Sequence, residues 1–185
     1  MNQYASVDEM NAVWAEADAR VSMSIRKLET HQIYAGDVGL DAYRKRDYGS
    51  IAQSTIDMFE SDVSFYINLL RRGILFTRLR FLKSPPNDYS RFEFLTYKVG
   101  ARYGERIGVL ERELPERVDD FVVYDDFLVI FNYFDADGNL LGSSFSRDRK
   151  IVADHIALFD SLIKDAIPLG HYEASHRDYL DPTAI

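Results

Sequence analysis

Residues 73–93 read GILFTRLRFLKSPPNDYSRFE, and the change of rhythm inside this stretch decides the fold. Ahead of Gly73 the apolar residues recur every three or four positions, the period of a helix. Behind it, Ile74–Leu82 is dense in apolar and aromatic residues, and period two puts Phe76, Arg78 and Arg80 on one face of a strand. Pro85 and Pro86 then break the chain, because neither element accommodates two consecutive prolines. Asp88 reads as an N-cap, and Phe92, Leu95, Val99 and Tyr103 line one side of a helix that stops at Gly104. Helix, strand, break and helix within so short a span fit a mixed sheet flanked by helices better than a bundle or a barrel.

Working towards the N-terminus, a second helix is predicted from about Ser50 to Arg72. It buries Ile51, Thr55, Met58, Phe59, Val63, Tyr66, Leu69 and Leu70. Arg71 and Arg72 suit the negative end of its dipole, and Gly73 is a natural left-handed cap. Residues 31–49 are polar, with three glycines, and read as a loop holding one helical turn. Before them, Ser6 and Glu9 form a capping box. From there Met10, Val13, Trp14, Ala17, Val21, Ile25 and Leu28 predict one long amphipathic helix ending near Thr30.

Towards the C-terminus, strands are predicted at Arg106–Arg112, with Ile107 and Val109 inward, and at Phe121–Tyr124. The clearest hairpin pairs Phe127–Phe134 with Asn139–Phe145 through the turn Asp135–Gly138. A last helix, Asp148–Ala166, packs through Ile151, Val152, Leu158, Phe159 and Leu162, and Pro168 ends it. From His171 onward the chain is polar and expected to be ordered only where it docks. The fold class is therefore α+β with an α/β-like character: a mixed sheet flanked by helices, two long N-terminal helices and a C-terminal helix. A single domain is expected over 1–185, divided into a helical part (1–72), a sheet-containing part (73–172) and a polar tail (173–185).

Composition agrees with a globular chain. At 185 residues, 46% hydrophobic and 28% charged, it can bury about 70% of its unfolded surface and needs no staple. Cysteine is absent, which excludes disulfides, thiol chemistry and thiolate zinc sites. Charges run through the first 30 residues, no signal sequence is seen, and no apolar run could span a bilayer, so the cytoplasm is the expected location. The net charge of −8 is uneven: residues 1–70 carry −5, residues 71–112 carry +6, and residues 113–185 carry −9. Such a basic band either pairs with its acidic flanks or offers an anion-binding surface. The acidic total and the lack of a basic stacking platform disfavour nucleic acid.

Most tests for chemistry are negative. No Gly-x-Ser-x-Gly elbow, Walker loop or dinucleotide spacing occurs. His171, Glu173 and His176 could supply ligands to a metal, but they sit in the polar tail, and neither a metal nor a cofactor is expected. Asp135–Asn139 has a calcium-loop look, yet Tyr133 and Ser144 stand where acids are required, so a hairpin turn explains it better. Two clusters remain. Asp125 and Asp126 end an apolar strand, as an acidic site or as a turn. Arg78, Arg80, Arg91 and Arg106, with Tyr89 and Glu93, form either an anion-binding site or an Arg–carboxylate network joining helix to sheet.

The 73–93 stretch resembles a bacterial family of unknown function. Its members read Gly-Val-x-Val-x-Arg-Val-Arg-Val-Val-Ser-x-Pro, then Tyr-x-Arg-x-Glu, a Gly-Glu segment, an Asp-Phe strand and an acidic strand end. Here those positions are Tyr89, Arg91 and Glu93, Gly104 and Glu105, Asp120 and Phe121, and Asp125, and the resemblance covers about 73–172. The arginine that the family places shortly after Gly-Glu is displaced, with Arg106 directly after Glu105 and Arg112 further on. Members are often encoded beside helix-turn-helix regulators, which implies a regulatory or sensing role. The pattern also resembles half of a phospholipase D-like fold, in a catalytically silent version. Active versions carry His-x-Lys-x4-Asp, whereas His31, His155, His171 and His176 precede Ile33, Ala157, Glu173 and Asp178.

The leading expectation is a non-enzymatic regulatory or interaction domain that binds a protein partner or a small anionic ligand. One alternative is an immunity or antitoxin-like protein neutralising a basic partner. The other is an enzyme of unrecognised type using Asp125, Asp126 and the arginine cluster. Sequence leaves the oligomeric state open.

Overall fold

The computed structural model describes residues 4–36, 39–112 and 118–177, with the backbone alone at 52 and 54–62. The elements are α1 (Val7–Arg20), β1 (Ser24–Glu29), α2 (Leu40–Arg44), α3 (Tyr48–Arg72), β2 (Leu75–Leu82), α4 (Asp88–Arg102) and β3 (Arg106–Glu111). They continue with β4 (Asp120–Tyr124), β5 (Leu128–Phe134), β6 (Leu140–Ser146), α5 (Arg149–Leu162), β7 (Ile167–Pro168) and α6 (Leu169–Ser175). The strands form one mixed sheet ordered β6-β5-β4-β1-β2-β3-β7. β1, β2 and β3 are mutually parallel, with Ile25 opposite Phe76 and Arg80 opposite Val109, and every other pairing is antiparallel. The expected mixed sheet flanked by helices is the architecture observed.

The largest correction falls at residues 21–30. The first helix does not run to Thr30. It stops at Arg20, and Ile25 and Leu28 belong to a central strand within what read as an all-helical 1–72. Their spacing of three satisfies a helix stripe, but in a strand it sends the two side chains to opposite faces, and both faces are covered. Ile25 packs with α1 and α3, and Leu28 packs under α5. Pairing with β2 and β4 on either side outweighs local propensity. The switch is fastened by Asp125, whose carboxylate accepts from the backbone N–H groups of Ser22 (2.8 Å), Met23 (3.0 Å) and Ser24 (2.6 Å).

Helices cover both faces. α1, α3 and α4 lie on one, over Ile25, Phe76, Ile107, Val109, Val122 and Ile130. Among the described residues α5 and the turn that follows it cover the other, over Leu28, Leu79, Phe81, Phe121, Val123 and Val129. α3 ends as expected at a left-handed Gly73 (φ 69°), but Leu70 is 53% exposed, and the expected burial of Thr55, Met58 and Phe59 lies outside the described side chains. Asn87, one residue before Asp88, caps α4 by accepting from Ser90 N–H. α5 begins after its cap Asp148 and gives way at Ile163 to a single 3-10 turn, and Ile151 is exposed. The tail differs too: Leu169–Ser175 is a helix whose Tyr172 is wholly buried against Phe94 and stacked on His176. Residues 178–185 of the expected polar tail lie outside the described residues.

The Asp135–Gly138 turn closes the β5–β6 hairpin, with Asp135 Oδ1 accepting from the amides of Asp137 and Asn139. Gly138 is required there: its φ is 85°, and a Cβ would lie 2.3 Å from the carbonyl oxygen of Ile33. Among the described residues no helix is long and apolar enough to cross a membrane.

Candidate functional site

Glu29 ends β1, Arg80 lies near the end of β2, and Asp120 begins the antiparallel β4, so all three stand at one end of the sheet. Alternation within β1 and β2 turns Lys27, Glu29, Arg78 and Arg80 to the same face, beneath α4. That helix contributes Tyr89, Glu93 and Tyr97, spaced along its buried side. A cleft of about 250 Å³ opens here, bordered by Lys27, Glu29, Tyr34, Arg78, Glu93 and Asp120 among others.

Its floor is a buried ionic network. Arg78 donates through Nε to Glu105 Oε1 (2.6 Å) and through Nη1 to Glu29 Oε1 (2.9 Å). Lys27 Nζ stands 2.7 Å from the same Glu29 oxygen, and Tyr97 donates its hydroxyl to Glu29 Oε2 (2.6 Å). Tyr66 donates to the far oxygen of Glu105 (2.9 Å). Arg80, with no exposed surface, donates through Nε to Glu93 Oε2 (2.8 Å) and through Nη1 to the carbonyl oxygen of His31. Its Nη2 is buried and unpartnered among the described residues. The guanidinium groups also lie over rings, Arg80 at 5.4 Å from the centroid of Tyr34 and Arg78 at 4.8 Å from that of Tyr97.

The carboxyl groups divide electrostatically. Burial alone pushes Glu29 up, but Arg78, Lys27 and Arg80 together outweigh it and hold Glu29 well below the ordinary glutamate value. Burial prevails at Glu93, whose carboxyl is raised despite Arg80, and Glu93 Oε1 receives a long 3.4 Å bond from Tyr89. Asp120 is raised by burial as well. Its Oδ1 accepts from Thr30 N–H and hydroxyl (2.8 Å each), and its Oδ2 accepts from the Tyr34 hydroxyl.

Of the residues singled out in the sequence, the fold brings Arg78, Arg80, Tyr89 and Glu93 together. Arg91 faces away from the network, with its guanidinium 4.0 Å from Asp88 on the same helix. Arg106 sits on the opposite face of the sheet, beside the end of α5. Asp125 is the backbone clamp already described, at φ 45°, held below the ordinary aspartate value as the amides of Ser24, Ser22 and Met23 outweigh burial. Its neighbour Asp126 is exposed, near Arg20, Arg147 and Arg149. Lys27, Glu29, Tyr34 and Tyr97 were not foreseen. The i, i+2 pair Lys27 and Glu29 signals a shared strand face only once β1 is known to be a strand. Among the described residues no group of three or more His, Asp or Glu could hold a metal ion.

A family model described as a domain of unknown function (DUF6879) matches residues 11–174. No curated protein matches the chain. Among solved structures, the chain is similar to phosphatidylserine synthase of Haemophilus influenzae Rd KW20, at 12% identity and a TM-score of 0.47. That similarity covers 92% of this chain and 39% of the other, so the chain spans about two fifths of that protein's length. At this level no residue role transfers from one protein to the other.

Proposed function

The chain belongs to the DUF6879 family of domains of unknown function, and we propose that it is a non-enzymatic regulatory domain that takes a small polar ligand into the cleft above Glu29, Arg78 and Glu93. One observation carries this reading. Glu93 borders the cleft, and its Oε1 receives only a long 3.4 Å bond from Tyr89, while its partner Arg80 lies fully buried behind the lining. A buried carboxylate oxygen of this kind is costly unless something meets it. A ligand N–H, as in an amide or a nucleobase, supplies the partner of Glu93 Oε1.

The same geometry narrows the expectation of an anionic ligand. Arg78 already spends its fork on Glu105 and Glu29, and Lys27 is held by Glu29. Lys27, Arg78 and Arg80 face Glu29, Glu93, Glu105 and Asp120, so the site offers no surplus of positive charge. The non-enzymatic reading rests on the same bonding. All four carboxylates accept from arginine, lysine, tyrosine or backbone donors, and the His31 ring bonds away from the cleft, to the carbonyl oxygen of Asp135. The regulatory assignment is supported by the sequence resemblance to a family encoded beside helix-turn-helix regulators.

The test is thermal denaturation with nicotinamide, uracil or inorganic phosphate, on the wild type and on Glu93→Gln. A rise in melting temperature with an amide-edged probe, lost in Glu93→Gln, is the expected result. A shift with phosphate alone would restore the anion reading, and no shift with any probe would refute the cleft as a ligand site.

A further inference from the structure

The opposite face of the sheet carries a larger hollow. A cavity of about 530 Å³ opens at the amino ends of β1, β2 and β3, between the sheet and the turn after α5. It exists because side chains there are short or missing. Thr77 and Gly108 form the floor, and Phe159, Ile163 and Ala166 form the wall. At Gly108 wall and sheet touch: a Cβ would lie 2.8 Å from that of Ala166 and 2.9 Å from Ile163 Cδ1. Beyond that contact α5 has already ended, at Leu162, so the strand starts stay uncovered. The volume falls in the range of roughly 300–1,000 Å³ found for small-molecule sites, and the lining is mainly apolar, as theirs is.

Two arginines stand at this cavity, in different states. Arg26 is engaged, donating through Nε to Asp160 Oδ1 (3.2 Å) and through Nη1 to Ser24 Oγ (2.8 Å). Arg106, the first residue of β3, is exposed and makes no hydrogen bond or ion pair among the described residues. Since Arg26 and Asp160 neutralise each other, Arg106 sets the charge of the mouth as positive, on a chain whose net charge is −8. An apolar lining with one unspent guanidinium fork complements an apolar body that ends in a carboxylate. A neutral apolar molecule would leave Arg106 unmatched, and free phosphate would leave the lining wet.

We propose that this cavity is a binding site for a small amphipathic carboxylate, with its apolar part against Thr77, Phe159 and Ile163 and its head group on Arg106. The site is separate from the polar cleft, which lies across the sheet, and either can fail without the other.

The experiment is titration calorimetry with decanoate below its micellar concentration, with decanol and inorganic phosphate as comparators. Saturable one-to-one binding of decanoate is expected, with neither comparator matching it. Arg106→Glu should weaken that binding by about tenfold or more while leaving the ligand-free melting temperature unchanged, because Arg106 is exposed and has no partner among the described residues. Thr77→Phe, which fills the floor, should abolish it. No binding of decanoate would overturn the proposal, as would equal binding of decanol or indifference to Arg106→Glu. Sedimentation showing a dimer that Arg106→Glu dissociates would assign this face to a second copy of the chain instead.

Discussion

Replacing Glu29 with glutamine removes one charge from the centre of the buried network and changes almost nothing else in shape. Glu29 is 4% exposed, and its two oxygens serve Arg78 at 2.9 Å, Lys27 at 2.7 Å and Tyr97 at 2.6 Å. The amide can still accept from Tyr97, but one of its two positions becomes a donor, Lys27 loses its counter-charge, and Arg78 keeps only Glu105. Removing one partner of a buried pair costs about 3–5 kcal/mol. For a chain of this length each kcal/mol moves the melting temperature by about 2–4 °C, so Glu29→Gln should melt about 6–20 °C below the wild type at pH 7. The pH dependence supplies a second signature. The folded state holds the Glu29 carboxyl below its ordinary value of 4.5, so its contribution is complete above that pH and is lost as acid protonates the folded state. The gap between variant and wild type should therefore narrow as pH falls below about 4.5. Scanning calorimetry between pH 3 and 8 measures both quantities. A variant melting within about 2 °C of the wild type at pH 7, or a gap that does not change with pH, would refute the reasoning.

Asp125→Ala leaves the amides of Ser22, Met23 and Ser24 without their acceptor and puts alanine at φ 45°, so a loss of about 1–3 kcal/mol or somewhat more is expected in urea unfolding at pH 7. That loss should shrink as pH falls below 3.8, because the Asp125 carboxyl is held down in the folded state. Gly100→Ala would put a Cβ 2.0 Å from Glu105 Oε2, which Tyr66 and Arg78 hold in place, and should destabilise the fold by about as much as breaking the pair, about 3 kcal/mol in denaturant titration. Tyr172→Ala opens a hole between α4, β3 and α6, and thermal melting should show a cost of about 3–5 kcal/mol; no cost would return the segment to the status of a loose tail.

Legibility in the sequence followed the strength of the local signal. The helix ending at Gly73, the strand after it and the Asp135–Gly138 hairpin each carry their own punctuation, and each stands where the pattern puts it. Val21–Glu29 carries none. Its apolar residues fit a helical stripe as well as they fit a strand, and its strand identity comes from β2 and β4, which lie far along the chain. Half of the arginine group was legible for a similar reason. Arg78 and Arg80 are two apart on one strand, and Tyr89 and Glu93 are four apart on one helix, so each pair shares a face by arithmetic alone. Arg91 and Arg106 joined them only as neighbours in sequence.

The sequence by itself determined the class of this protein: period and punctuation are short-range properties, and they require helices packed on a sheet. Tertiary structure alone decided which charges meet. Glu29 reaches Arg78 because two distant segments pair in parallel, and Glu105 reaches Arg78 because a third strand joins the second. A strand's partner is chosen by the burial of both its faces at once, a property of the assembled sheet and not of any window along the chain.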